Sequence, residues 1–241
     1  MKRSLVIGLV VVMLCTLAGA ASAQGGATAS YVVGSTVLEA KNGYKLTAKA
    51  NSLMIQGDFL FTPKFGLGVA YYGFSDAEAE ENADIKLGLS YFSVEGLYKF
   101  YSDPAVTLYP LLGYTSLTSK TDETAGTATV NIGGFKVGVK AETALAKGIT
   151  GRMSIGYYPS LSTKTETKAK AAGVGSTKLA VVPAEPEQTA SAIEFLGSVA
   201  YEVAPQISID AGYRYLSVNG PSDDPWKLSN SGPFIGVGYR F

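Results

Sequence analysis

The chain closes on Phe234-Ile-Gly-Val-Gly-Tyr-Arg-Phe241, and this stretch decides how the rest is read. Ile235, Val237, Tyr239 and Phe241 are apolar, while Gly236, Gly238 and Arg240 between them are tiny or charged. Successive side chains of a strand point to opposite faces. The segment is therefore a strand with one face fit for lipid and one for a polar interior.

The same two-sidedness recurs upstream. Phe135, Val137, Val139, Ala141, Thr143 and Leu145 oppose Lys136, Lys140 and Glu142. Met153, Ile155 and Tyr157 oppose Arg152, Ser154 and Gly156. Ile193, Phe195, Val199, Tyr201 and Val203 oppose Glu194, Ser198 and Glu202. Ile207, Ile209, Tyr213 and Tyr215 oppose Asp210 and Arg214, and Leu53, Ile55, Phe59 and Phe61 oppose Gln56 and Asp58. Every charge in these strands keeps to one parity. A Lys or Arg facing lipid at the bilayer midplane costs about 2–4 kcal/mol, so a bilayer would enforce this one-sidedness.

Ten strands are expected, at about 31–40, 53–61, 65–74, 85–101, 106–117, 131–145, 149–161, 193–203, 207–218 and 234–241. Short connections (62–64, 102–104, 146–148, 204–205) alternate with long ones (41–50, 75–84, 118–129, 163–190, 219–232). The fold class is all-β: a closed antiparallel up-and-down transmembrane barrel of ten strands, with eight as the alternative if two segments are loops, most plausibly at the irregular first or fifth. Soluble sandwiches and lipocalin-like barrels alternate too. The short–long asymmetry and the ring-rich apolar parity favour the membrane. Two strands are irregular. In the fourth, apolar residues change parity between Tyr91 and Phe92, which predicts a bulge there or an upper half that projects beyond the bilayer. In the fifth, Pro110 interrupts a ladder, and Leu108, Leu112 and Tyr114 are expected to face lipid.

The other end agrees. Lys2 and Arg3 precede an uncharged apolar run, Leu5–Leu17, and the small-residue site Ala21-Ser22-Ala23, the pattern of a secretory signal peptide over 1–23. The domain 24–241 is then the barrel. It has 218 residues (241 less 23) and a formal charge of −2, from 18 bases (20 less Lys2 and Arg3) against 20 acids. This balance gives no sign of nucleic-acid binding. Cys15 is the chain's one cysteine and falls within the signal, so no disulfide is expected. Histidine is absent, which removes the usual general base, the nucleophilic triads and the commonest metal ligand. No catalytic, cofactor or metal residues are assigned, and a non-enzymatic protein is expected.

With these residues in view, the chain resembles bacterial outer-membrane β-barrels of the small OmpA-like or Opa-like type. The resemblance implies an outer-membrane location with both termini periplasmic. It implies that Ile235, Val237, Tyr239 and Phe241 act as the signal read by the β-barrel assembly machinery. It departs from the OmpA pattern in its ten strands and in having no peptidoglycan-binding domain after the barrel. Outer-membrane proteases of the omptin type also have ten strands and use Asp with His, and that set is not available here. The charges Asp58, Lys136, Lys140, Glu142, Arg152, Glu194, Glu202, Asp210, Arg214 and Arg240 are expected to form a lumen network, with Glu95, Lys86 and Lys99 also inside. Both Arg214 and Arg240 are expected to be held by acids. This network is expected to plug the interior of so narrow a barrel. The glycines of Gly66-Leu-Gly68 and Gly236-Val-Gly238 are expected to leave room for bulky inward neighbours. Lys164, Lys168, Lys170 and Lys178 are candidates for lipopolysaccharide phosphates. The functional expectation is a structural or surface-interaction barrel with variable loops, the alternative being a narrow channel for small solutes.

Overall fold

The computed structural model describes residues 24–124, 126–169, 188–221 and 225–241. The signal-peptide segment, Lys170 and Lys178 lie outside the described residues. The strands are β1 (Gln24–Glu39), β2 (Lys45–Leu60), β3 (Phe65–Glu78), β4 (Lys86–Tyr98), β5 (Tyr101–Ser102), β6 (Val106–Asp122), β7 (Gly126–Ala146), β8 (Ile149–Ala169), β9 (Gln188–Ala204), β10 (Ile207–Asn219) and β11 (Lys227–Arg240). Apart from the step at β5, each pairs antiparallel with its sequence neighbours, and β1 pairs β11 to close the ring. β5 pairs only with β6 and stands outside the ring, because β4 itself pairs β6. Eleven strands less β5 leave a closed antiparallel barrel of ten. Both described chain ends and the turns at 61–64, 147–148 and 205–206 lie at one end, here the terminus end; the connections at 40–44, 79–85 and 220–226 lie at the other, here the loop end.

The turns follow local chemistry. Gly43 has φ 78° in the three-residue Lys41-Asn42-Gly43 connection, where its N–H donates to Ala40 O at 2.9 Å. Only glycine takes that conformation without cost. The expected long loop over 41–50 is therefore a tight hairpin, and β2 starts at Lys45. At the terminus end, the Asp103 carboxylate accepts from the Tyr101 hydroxyl at 2.6 Å and from the Ala105 and Val106 N–H groups at 2.7 Å each. These bonds, that of Tyr101 first, hold its pKa below the usual carboxylate range.

The strands run further toward the loop end than hydrophobic periodicity predicts. β7 and β8 have 21 residues each, about twice the 9–11 that span a bilayer. On β7 the outward apolar run, Phe135 to Leu145, is about 33 Å of strand at about 3.3 Å per residue. That is about 25 Å of height at a tilt near 40° and matches the apolar band of such barrels. Beyond it the outward residues are Gly133, Asn131, Thr129 and Thr127, which have no apolar face to reveal a strand. Ladder hydrogen bonds and inward packing of Val130 and Ile132 carry the wall onward. β3 likewise continues to Glu78 through a bulge at Ser75-Asp76, with Asp76 at φ 58°. The segment 75–84 is only partly the loop expected.

The exterior is the apolar belt. Leu112, Tyr114, Phe135, Val139, Tyr157 and Val199 are among its exposed side chains. Leu112 and Tyr114 thus face outward as expected. Pro110 sits where the β4 ladder has ended at Leu97–Leu111 and β5 has yet to begin at Tyr101–Leu108, so its missing N–H breaks no ladder bond. Aromatic residues rim the belt on the loop side (Tyr31, Phe92, Tyr114, Phe135, Tyr157) and on the terminus side (Phe61, Phe65, Tyr201, Tyr239).

The fourth strand departs from expectation. Its ladder to β6 is unbroken from Lys86 to Leu97, and no bulge lies at Tyr91-Phe92. Ile85, Leu87, Leu89 and Tyr91 are buried inside the barrel, on the same parity as Ser93, Glu95 and Leu97, while Phe92 and Val94 face out. The apolar parity of its loop-side half is inward because the barrel has an apolar interior there. Lys86, assigned to the lumen by the opposite reading, is exposed on the outward parity. A bulge does occur in β8: the ladders on both sides shift around Pro159-Ser160, so Tyr158 and Leu161 both point inward.

Candidate functional site

The interior is layered. Toward the loop end lies an apolar cluster that includes Val32, Met54, Leu89, Leu117, Ile132, Leu161, Leu216, Val218 and Leu228. A void of about 10 Å³ lies beside Leu117, Ile132, Leu161, Leu216 and Val218 of this cluster, no more than one water's worth. The loop-side lumen is therefore packed with apolar side chains, a layer the expected ion-pair plug did not include. Ion pairs lie beneath the cluster.

Directly below the cluster, Glu194 sits at the centre of a buried hub. Its Oε2 accepts from Tyr158 OH at 2.7 Å, Tyr91 OH at 2.9 Å and Lys136 Nζ at 2.9 Å. Its Oε1 accepts from Arg214 Nη2 at 3.4 Å. Lys136 also donates to Glu95 Oε1 at 2.5 Å. Arg214 donates to Asn230 Oδ1 at 2.7 Å, and its guanidinium stacks 4.4 Å from the Tyr72 ring and 4.9 Å from that of Tyr91. Asn230 then donates to Thr36 Oγ1 at 2.9 Å and Tyr72 OH at 3.0 Å. The chain of bonds crosses the lumen from β4 to β1. Two acids, Glu95 and Glu194, balance two bases, Lys136 and Arg214, so the hub is neutral. Such balance is what burial of charge requires.

Lower down, Lys140 pairs with Asp58 across the barrel. Arg152 pairs with Asp210 at 2.9 Å and lies 3.6 Å from Glu142. Inward glycines make the space. A Cβ on Gly156 would collide with Lys136 Cε, and one on Gly238 would stand 2.9 Å from Asp210 Oδ2. One on Gly68 would stand 3.1 Å from Asp58 Oδ1. Gly66, by contrast, makes room for Leu60 and the Phe59 backbone.

Two residues of the expected network stand apart. Glu202 is exposed at the terminus-end rim, and Arg240 is exposed at the mouth of the lumen. Among the described residues, neither has a salt bridge. Arg240 is thus not held by an acid: its side chain is exposed, and an exposed charge needs no partner. Tyr72, Tyr91, Tyr158, Asn230 and Thr36 were not expected in the hub. Their one sequence signal is shared inward parity with the charges beside them. In the final strand, Ile235, Val237 and Tyr239 are exposed on the outer wall at 58, 59 and 50%. Phe241 exchanges backbone hydrogen bonds with Gly25, and its ring centroid is 6.4 Å from those of both Tyr239 and Phe59.

Below the hub a cavity of about 400 Å³ opens at the terminus end. Among the described residues, no group of three or more Asp, Glu, Cys or His side chains converges as a metal site would require.

A ten-stranded closed barrel with an apolar belt, aromatic rims and a polar lower lumen defines an outer-membrane type of architecture. Residues 7–177 match the family model for the outer membrane protein beta-barrel domain, more than half of the chain, and the protein belongs to that family. Its fold is similar to the outer membrane protease OmpT of Escherichia coli, with TM-score 0.61, 11% identity, and 90% of this chain and 97% of that one covered. The translocator domain of the autotransporter NalP from Neisseria meningitidis aligns at TM-score 0.50 and 10% identity, covering 100% and 98%. Neisserial surface protein A aligns at 0.41 and 15%, covering 91% and 99%. At these identities the likeness is one of fold. A sequence search of curated proteins finds no match.

Proposed function

We propose that this chain is a non-enzymatic, non-conducting outer-membrane barrel, with the strand extensions and loops of its loop end as a surface for contacts outside the cell. The observation that supports this is the apolar cluster, whose buried side chains from strands all round the ring pack together in the loop-side lumen. Against catalysis stand the absence of histidine and the pairing of Glu95, Glu194, Asp58, Asp210 and Glu142 with bases. A carboxylate held by a neighbouring cation is a poor general base. In this reading residues 1–23 are the export signal and both termini are periplasmic. The partners are outer-membrane lipid, lipopolysaccharide, and the β-barrel assembly machinery during biogenesis.

Planar-bilayer recording of the purified barrel tests the closure. Wild type should give no steady conductance. Leu117→Ala with Leu161→Ala hollows the cluster and should give small steps. Large ohmic steps from wild type would replace this reading with the second one, a narrow solute channel. That reading draws on the 400 Å³ cavity, which already opens the terminus-side half of the path.

A further inference from the structure

At the loop end the wall between β2 and β3 is nearly without a ladder. The two strands pair in register from Leu60↔Gly66 to Leu53↔Gly73. Above that a single bridge joins them, Ala48↔Ala79. Each strand keeps its other partner to a greater height: β2 pairs β1 up to Lys45↔Glu39, and β3 pairs β4 up to Glu78↔Lys86. The bulge at Ser75-Asp76 lies in this stretch, with Asp76 at φ 58°, a conformation that costs a residue other than glycine. The tip of the β3–β4 hairpin, residues 79–85, is thus joined to β2 with little backbone pairing beneath it.

That tip is organised as one piece. Ala79 N–H donates to Ile85 O at 2.9 Å, Ile85 N–H to Asn82 O at 3.0 Å, and Asp84 N–H to Asn82 Oδ1 at 3.0 Å. Ala79 and Ile85 are buried and pack with Leu46, Ala48 and Leu87 in a second apolar cluster. Leu38 and Phe74 link this cluster to the larger one. The polar ties to β2 meet only Thr47 and Lys49. Glu80 N–H donates to Thr47 O at 2.7 Å, Thr47 N–H donates to Glu81 Oε2 at 2.7 Å, and Lys49 Nζ lies 2.7 Å from Glu80 Oε1.

We infer that residues 79–85 form a strap, latched to β2 by Glu80 and Glu81, which lifts as a unit and uncovers Leu46, Ala48 and Leu87 when those two carboxylates lose their partners. Acid is one condition that does this. The charged groups around the latch are Lys45 and Lys49 of β2, Glu39 of β1 opposite Lys45, and Glu78, Asp84 and Lys86 of the hairpin itself. The Thr47 N–H first, and the charge of Lys45 after it, hold the Glu81 carboxyl below its ordinary pKa. Its contribution is therefore present above the ordinary carboxylate pKa and is lost as pH falls through the lower folded value. The larger cluster lies beneath the strap and keeps its own packing when the strap lifts. Conductance reads that cluster and the latch reads the tip above it, so either idea fails alone.

The test places a thiol under the strap. Cys15 is the chain's one cysteine, so in the purified barrel Ala48→Cys reports alone. Its reaction with a maleimide at neutral pH should be slow, and about fivefold faster when Glu80→Gln and Glu81→Gln are added, since exposed contacts of this kind are individually weak. Glu78→Gln, on the same hairpin but outside the latch, should leave the rate unchanged. Amide exchange of the wild type, corrected for intrinsic exchange at each pH, reads the acid response. Protection of Thr47, Ala79 and Ile85 should fall together below the ordinary carboxylate range, while Leu53 to Leu60 stay protected. Paired residues of an antiparallel bridge stand at about the Cα separation a disulfide needs, so Ala48→Cys with Ala79→Cys should lock the strap. The locked form should lose the acid response and regain it on reduction. An unchanged maleimide rate in the Glu80→Gln, Glu81→Gln variant would overturn the latch. Separate responses of Thr47, Ala79 and Ile85, or an acid response that survives the lock, would overturn the strap. If Ala48→Cys disturbs assembly, the amide exchange of wild type against Glu80→Gln, Glu81→Gln decides alone, full protection in the variant being the refuting result.

Discussion

Glu194 and Glu202 lie on the same parity of one strand, yet their replacement by alanine should have very different consequences. Glu194→Ala removes the acceptor of Tyr91, Tyr158, Lys136 and Arg214 at a stroke. The hub is then left with two bases against one acid, Glu95. Breaking a buried, compensated charge cluster on one side costs about 3–5 kcal/mol. The truncation opens a void as well, so the upper part of that range applies. For a chain of this size each kcal/mol moves the melting midpoint by about 2–4 °C, giving a shift of about 10 °C or more. Glu202 is exposed and, among the described residues, makes no salt bridge, so Glu202→Ala should stay within about 0.5 kcal/mol of wild type. The assay is the temperature at which the folded, fast-migrating band is lost on a gel of detergent-purified barrel. Glu194→Gln is the control: it keeps the volume and some hydrogen bonds and should fall between the two. Neither alanine variant should conduct, because the apolar cluster above the hub is intact. If Glu194→Ala melts within about 2 °C of Glu202→Ala, the hub contributes no net stability and the reasoning fails.

Gly156→Val should act on Lys136 from the neighbouring strand, since any Cβ at this position meets Lys136 Cε; a melting loss close to that of Lys136→Ala is expected, and a neutral result would mean the lysine has another place to go. Deleting Phe241 should reduce the amount of heat-modifiable barrel in outer-membrane fractions while leaving export across the inner membrane unchanged; undiminished insertion would remove the assembly role given to the final strand. Asp103→Ala should speed amide exchange at Ala105 and Val106 in the terminus-end turn. Because the folded-state pKa of Asp103 is depressed, its contribution is present above the ordinary carboxylate pKa and fades as pH falls through the lower folded value. Protection of these amides, measured against their intrinsic exchange at each pH, should fall at that acid limit in wild type and stay flat in the variant.

The sequence by itself determined the wall. Two-residue alternation, Pro205, Gly148 and Asn42-Gly43 as turn formers, and the one-sided charges of β7 to β11 were enough to count ten strands and to place Arg152, Asp210 and Arg214 inside. Lipid makes this legible, because it rejects charge on one face along the whole membrane height. Above the belt that constraint ends. Thr127 to Thr129 and Lys45 to Ala50 carry no lipid-facing pattern, so they read as loop. In β4, Leu87, Leu89 and Tyr91 read as lipid-facing when they pack inward, because alternation separates two faces without saying which is inside. Tertiary structure alone decided the contents of the lumen. Asn230 meets Thr36 from 194 residues away and Lys140 meets Asp58 from 82 away. Those partners are set by the curvature and stagger of the closed sheet, which bring particular heights of distant strands together. The same closure brings inward apolar side chains of distant strands together toward the loop end, and so sets an apolar layer above the ion pairs.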